Sequence, residues 1–293
     1  MMRRKLIVLG SSFAIGWMAG PAANASFPGT NGDIAFGRGG DLWTVDPATG
    51  ETTRLTTSDA AREAFPDWNA TGTQLAFSKC RGGQFGNCEI WVMAAGGSDR
   101  TRLTFTPDVQ ETWPTWSPDG TQIAFTSHAE DPFQDIWVMD ADGTDQTRLT
   151  ENQGIFDAFP EWSPDGTKIA FTSTREDLDD IWLIDADGGN PTRLTSGPKI
   201  DERPDWSPDG ARIVFSRNGN IWVKDADGTD LTQLTDNRRD EFAPTFSPDG
   251  TTIAFNRERL NGRFGVWTMS IDGSGIERLT SGRFDFFPDW QPV

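Results

Sequence analysis

The sequence predicts an all-β fold, specifically a six-bladed β-propeller of four-stranded blades with its ring closed by pairing of the N- and C-terminal strands. Three observations predict it. A unit of 40 to 48 residues recurs along the chain, the signature of a ring or stack of small sheets. Every complete copy holds four short runs rich in β-branched and aromatic residues, separated by turn clusters. The first copy lacks its inner strand, and the last consists of nothing else.

The inner element reads Pro66/Trp68, Pro114/Trp116, Pro160/Trp162, Pro204/Trp206, Pro244/Phe246 and Pro288/Trp290. The second is Ile34-Ala35-Phe36 and its five counterparts, such as Ile123-Ala124-Phe125 and Ile253-Ala254-Phe255. The third centres on Trp43, Trp91, Trp137, Trp182, Trp222 and Trp267, and the fourth ends in Leu-Thr, as at Leu103-Thr104. Clusters such as Ser117-Pro118-Asp119-Gly120 and Asp140-Ala141-Asp142-Gly143 read as the hairpin turns of an antiparallel sheet. The second and third runs are apolar at consecutive positions, so both faces must be buried, which sheets packed around an axis provide. Eleven of the 13 tryptophans occupy repeat positions and belong to the core between blades, where each indole N–H is expected to need an acceptor. Pairing Pro288-Asp289-Trp290 with Asp33-Ile34-Ala35-Phe36 completes a blade from both termini and removes two open sheet edges.

Residues 1–25 read as a secretory leader: Arg3, Arg4 and Lys5 precede an apolar run from Leu6 to Met18, then Ala23-Asn24-Ala25. The propeller is expected over 33–293 after a lead-in of 26–32, exported to the periplasm or secreted. The leader's 13-residue apolar run is short for a bilayer and no later run matches it, so no membrane span is expected. Removing Arg3, Arg4 and Lys5 with the leader moves the formal net charge from -18 to -21. Such acidity repels nucleic-acid phosphates and favours cations. In an exported chain Cys80 and Cys88 are expected to form a disulfide stapling the base of the loop between them.

Repeated Pro-x-Trp-Ser-Pro-Asp-Gly-x-x-Ile-Ala-Phe, then Asp-Ile-Trp-Val-Met-Asp-Ala-Asp-Gly and Thr-Arg-Leu-Thr, resembles the TolB-type (WD40-like) propeller repeat over 33–293. The resemblance implies a periplasmic or exported binding platform. TolB-type proteins carry an α/β domain before the propeller; with only Ser26 to Gly32 between leader and first strand, a propeller without that domain is expected.

Three residues before each repeat proline stands an acid: Glu63, Glu111, Asp157, Asp201, Glu241 and Asp285. A propeller's inner strands line its axis, so these six are candidates for a ring near one channel mouth. Like charges there need compensation from a cation, an arginine or protons. Ca2+, with roughly six to eight oxygen ligands in flexible geometry, is the candidate metal. Alternatively each acid accepts backbone N–H bonds or pairs with the arginine of the preceding Arg-Leu-Thr. Asp67, Thr115, Glu161, Asp205, Thr245 and Asp289 form a second, deeper polar layer.

The residues immediately before the prolines, Phe65, Trp113, Phe159 and Phe287, with Arg203 and Ala243 in the remaining copies, make a mouth aromatic on one side and polar on the other. That asymmetry suits a peptide or glycan; aromatic packing beneath the loops is the alternative. The only histidine, His128, falls in a loop, and no Gly-x-Ser-x-Gly elbow occurs, which argues against triad or histidine-metal catalysis. The Asp140–Asp145 segment lacks EF-hand spacing and reads as a turn. The expectation is a non-enzymatic, monomeric scaffold that binds an envelope or extracellular protein, peptide or glycan, with a cation in the channel. The alternative is a calcium-dependent hydrolase or lactonase of the same form.

Overall fold

Alternating runs and turn clusters pair as the repeat dictates, giving six four-stranded antiparallel sheets. The computed structural model describes residues 29–58, 61–82, 86–106, 108–129, 133–151, 154–176, 178–259 and 262–293. The leader read at 1–25 lies outside the described residues. In the closing blade, Asp285–Pro292 pairs with Asn31–Arg38, followed by Asp41–Val45 and Thr52–Arg54. Its register sets Ile34 opposite Trp290 and Arg38 opposite Asp285, so the chain ends are joined by a full ladder. No helix among the described residues is long and apolar enough to cross a membrane.

The apolar runs are buried on both faces: the Ile34-Ala35-Phe36 triplet and its equivalents are 0 % exposed. Each of the six apolar clusters bridges two blades. In one, Ile90, Val92 and Leu103 meet Trp116, Ile123, Phe125 and Met139 of the following blade. Burying a side chain of this size contributes about 1.5–3 kcal/mol, so the ring is held chiefly by these seams.

The short repeat signatures each have a local cause. In Ser117-Pro118-Asp119-Gly120 the Gly120 N–H bonds the Ser117 carbonyl, and Gly120 takes φ 69°, which favours glycine. Asp119 accepts from the Ser117 and Thr121 hydroxyls and the Thr121 N–H, while Ser117 Oγ accepts the Gln122 N–H. The Asp140–Asp145 segment is likewise a hairpin turn, with Asp142 accepting from Thr144. The Arg-Leu-Thr threonines cap the outer edge: Thr56, Thr104, Thr150, Thr195, Thr235 and Thr280 each accept a third-strand N–H at 2.9–3.0 Å. Outermost strands of two or three residues keep that edge short.

The inner strands carry a feature the repeat pattern does not announce, and one expectation needs correction. The inner strands are not continuous. Each has a register shift between the second residue before the proline and the residue after it, as from Ala64 to Asp67, and the residue before the proline takes φ of 49° to 58°. This is a β-bulge, and because a residue before proline otherwise prefers an extended conformation with negative φ, the positive φ is imposed by the surrounding blades. The indole acceptors fail to materialise generally. Trp206 Nε1 donates to the Glu161 carbonyl, but Nε1 of Trp43, Trp68, Trp116, Trp162, Trp182, Trp267 and Trp290 is buried without a partner among the described residues. Apolar shape, rather than the polar handle, selects tryptophan at these positions.

Cys80 and Cys88 face each other across the second and third strands of their blade and form the expected disulfide. A short loop of this kind restricts the unfolded chain by about 2–3 kcal/mol in the chain-entropy account. Replacing both cysteines by serine is expected to lower the unfolding free energy by up to that amount, measured by urea denaturation, with the ring otherwise intact.

Candidate functional site

The bulges aim the pre-proline side chains at the axis. Phe65, Trp113, Phe159, Arg203, Ala243 and Phe287 meet there, over a cavity of ≈ 100 Å³ floored by Asp67, Glu161, Asp205 and Asp289. The aromatic rings contact one another directly: Phe65 stacks on Trp113 with centroids 3.7 Å apart, and Phe287 lies 4.7 Å from both. Phe159 meets Trp113 edge-on at 4.6 Å. Arg203 sets its guanidinium over Phe159 at 4.6 Å and over Trp113 and Phe242 at 5.6 Å. Its Nη1 reaches Glu202 at 3.2 Å, while its Nε is buried without a hydrogen-bond partner.

Non-glycine residues at positive φ cost of order 1 kcal/mol each or more and persist only where surroundings over-determine them. Here the preceding blade supplies the constraint. The N–H groups of Phe159, Arg203, Ala243 and Phe287 donate to Thr126, Thr172, Ser216 and Asn256 on its second strand. The five residues read as a binding face are therefore brought together. A further arc went unread: Phe242, Phe264, Phe284 and Phe286 extend the aromatic surface outward over the last and closing blades. The Phe284–Phe287 sequence, Phe-Asp-Phe-Phe, is its one visible trace.

The deeper layer converges as expected. Asp67, Asp205 and Asp289 each accept the backbone N–H of the next blade's inner strand, from Trp116, Phe246 and Trp68 at 2.6–2.7 Å. Thr115 donates to Glu161. These carboxyls thus tie neighbouring blades at the axis, but they face one another. Burial holds the Asp67 and Glu161 carboxyls far above the usual range, reinforced by Asp289, Asp205 and, for Glu161, Asp67. Burial does the same for Asp205, and pushes Asp289 up to about 7.

The six acids Glu63, Glu111, Asp157, Asp201, Glu241 and Asp285 do not line that axial cavity. They sit buried at the blade junctions. Five pair with a basic side chain on the second strand of their own blade: Glu63 with Lys79, Asp157 with Arg175, Asp201 with Arg217, Glu241 with Arg257 and Asp285 with Arg38, at 2.5–2.8 Å. Lys79, Arg217 and Arg257 follow their acids by 16 residues, a spacing legible in the sequence. The same five cations lie 4.9–5.3 Å over the third-strand tryptophans. The Arg-Leu-Thr arginines have a different partner from the one read. Arg54, Arg102, Arg148 and Arg193 pair with Asp41, Glu89, Asp135 and Asp180 at the start of the third strand. Among the described residues no three His, Cys, Asp or Glu side chains gather as a metal-ligand set. His128 lies in a loop, its N–H on the Gln110 carbonyl.

The channel carboxyls make stability depend on pH. Because their folded values are raised, the folded chain holds protons that the unfolded chain releases. This stabilisation is complete below the ordinary carboxylate range and is lost as pH rises through about 7. Between pH 5 and pH 8 the melting temperature is expected to fall by several degrees. Asp289→Asn, whose amide oxygen still accepts the Trp68 N–H, should remove much of that fall and melt higher than the wild type at pH 8. Calorimetry at the two pH values checks both.

The family model described as the TolB beta propeller domain, PD40, matches residues 110–293. No curated protein matches the chain. Among solved structures, TolB from Acinetobacter baumannii superposes with a TM-score of 0.77 at 24% identity, covering 89% of this chain and 67% of that one. A putative TolB from Agrobacterium tumefaciens gives 0.71 at 23% identity, covering 89% and 91%. A chain of a nidogen/laminin complex gives 0.73 at 13% identity, covering 88% and 98%. At these identities the superpositions show a shared fold. With the family model matched over residues 110–293, more than half of the chain, the chain belongs to the TolB beta propeller family.

Proposed function

We propose that this chain is an exported scaffold that works in the periplasm or outside the cell, where its channel-mouth face binds a peptide segment of a partner protein. A TolB-type propeller is a protein-binding scaffold at the coarse level. The observation that carries the finer reading is the aromatic mouth: four rings on positive-φ bulges, with Arg203 in the one blade where an aromatic gives way to a cation. Aromatic residues and arginine supply most binding energy at protein interfaces: the rings bury large areas with few rotors to freeze, and the guanidinium adds several hydrogen-bond donors. Arg203, whose side chain is 23 % exposed, presents guanidinium N–H donors at the mouth, so a backbone carbonyl or carboxylate of the bound segment is their natural partner. The outer arc of Phe242, Phe264, Phe284 and Phe286 offers room for the segment to continue past the axis, with Phe284 48 % exposed.

The test is a displayed library of random dodecapeptides selected on the immobilised protein, with a glycan array run in parallel. Selected peptides are expected to compete for one site and to lose at least tenfold in affinity on Trp113→Ala/Phe287→Ala, the scale of an interface hot spot. Arg203→Ala should weaken binding less. Peptides that bind the double variant as tightly as the wild type, or binding confined to glycans, would overturn the reading.

A further inference from the structure

Each blade junction repeats one arrangement of charge. A carboxylate opens the third strand of one blade and the Arg-Leu-Thr arginine answers it. The next blade then presents the buried inner-strand acid, answered by a base on its second strand. Asp41, Arg54, Glu63 and Lys79 form such a set, with Arg100 also 3.8 Å from Glu63. Asp135, Arg148, Asp157 and Arg175 form another, and Asp180, Arg193, Asp201 and Arg217 a third. Where the first pair is missing, both members are neutral together: Asn220 and Gln233 stand in for acid and arginine, leaving Glu241 with Arg257. At the closing junction Gly265 replaces the first acid while Arg278 of the Arg-Leu-Thr edge stays, outside the core, and Asp285 keeps Arg38. At these five junctions the buried inner-strand acid is thus always met by a base, even where the first pair changes.

One junction breaks the rule. Glu89 has Arg102, but opposite Glu111, where the register places Lys79, Arg217, Arg257 and Arg38 in other blades, stands Ser127. Glu111 is 1 % exposed; its Oε1 accepts from Thr106 at 2.9 Å, and its Oε2 is buried without a hydrogen-bond partner, as is one oxygen of Glu63, Asp157 and Glu241, but here no base sits on the other oxygen. Glu89 adds a second carboxylate that opposes ionisation of Glu111, and Thr104, which donates to Glu89 at 2.9 Å, adds a hydroxyl. At the equivalent position Lys79 meets Glu63 at 2.7 Å, whereas among the described residues no basic side chain pairs with Glu111. The result is an oxygen-rich pocket one positive charge short. Thr104 and Thr106, which flank the exposed Phe105, bring its hydroxyls.

We infer that the junction between the second and third blades binds a hard metal cation, with Glu111 and Glu89 as carboxylate ligands and the Thr104 and Thr106 hydroxyls completing an oxygen set that takes the place of the missing base. Oxygen ligands of mixed charge without nitrogen or sulfur suit Ca2+ rather than a transition metal. The cation is structural: it neutralises a buried carboxylate as Lys79 and Arg217 do elsewhere, and it ties the Thr104–Thr106 edge to the inner strand of the next blade.

The experiment uses chelator-treated full-length protein at pH 8, titrated with CaCl2 by isothermal calorimetry and melted with and without it. One calcium per chain is expected, with the melting temperature raised by roughly 5 °C at about 100 times the dissociation constant. Glu111→Gln should abolish both the heat and the shift. Ser127→Arg, which installs the base the other junctions possess, should abolish the calcium response without lowering the melting temperature of the metal-free protein. Asp201→Asn, at a junction with its own arginine, should destabilise yet keep the calcium response. The inference is overturned if calcium produces neither heat nor shift, or if the response survives Glu111→Gln. It is equally overturned if the wild type responds only to pH between 6 and 8, in a manner that Glu111→Gln removes, since a proton then fills the role.

Discussion

The constraint on which this ring depends is that carboxylates are buried both at its blade junctions and at its axis, and a buried carboxylate must be met where it stands. Removing an ion from water costs several kcal/mol unless an opposite charge, hydrogen bonds or a proton compensate. The molecule uses different answers at different depths. At the junctions, five acids take a lysine or arginine from the neighbouring strand. At the axis, three carboxyls instead accept the backbone N–H of the next blade and lie near one another, so protonation is the remaining route to neutrality. The same groups that fasten the seams therefore set the electrostatics of the centre.

The basic residues at the junctions serve two surfaces at once. Lys79, Arg175, Arg217, Arg257 and Arg38 end on a carboxylate and lie across a third-strand tryptophan on the way. The arrangement lets a half-buried indole face a cation rather than water, which suits its ring quadrupole. It also couples the outer core to the inner strand. Where Ser127 stands instead, the acid and the pocket around it are left to another ligand.

The mouth depends on the same inner strand. A proline that cannot donate to the ladder sits beside a bulge, and the bulge turns the preceding side chain inward, toward the axis. The N–H displaced from the ladder is recovered by a hydroxyl or amide of the preceding blade in four copies. Six such turns around one axis create a surface whose chemistry is set by six side chains distant in sequence, and variation at those positions can change what the face binds without disturbing the seams.

Fold class, blade count, ring closure and the Cys80–Cys88 bridge were legible in the sequence, because each rests on local pattern: period, turn chemistry, consecutive apolar residues and an offset that leaves one strand at each end. The five mouth residues were legible too, since the proline marks their place in every copy. What each acid touches was not. An acid three residues before a proline can point to the axis, to the Arg-Leu-Thr arginine or to a neighbouring strand, and only the bulged register, which sets Glu63 opposite Lys79 and Glu111 opposite Ser127, decides among them. The sequence by itself determined the ring. Tertiary structure decided which charges meet inside it, because partners in a propeller are chosen by strand register and blade packing, and neither is a property of any single repeat.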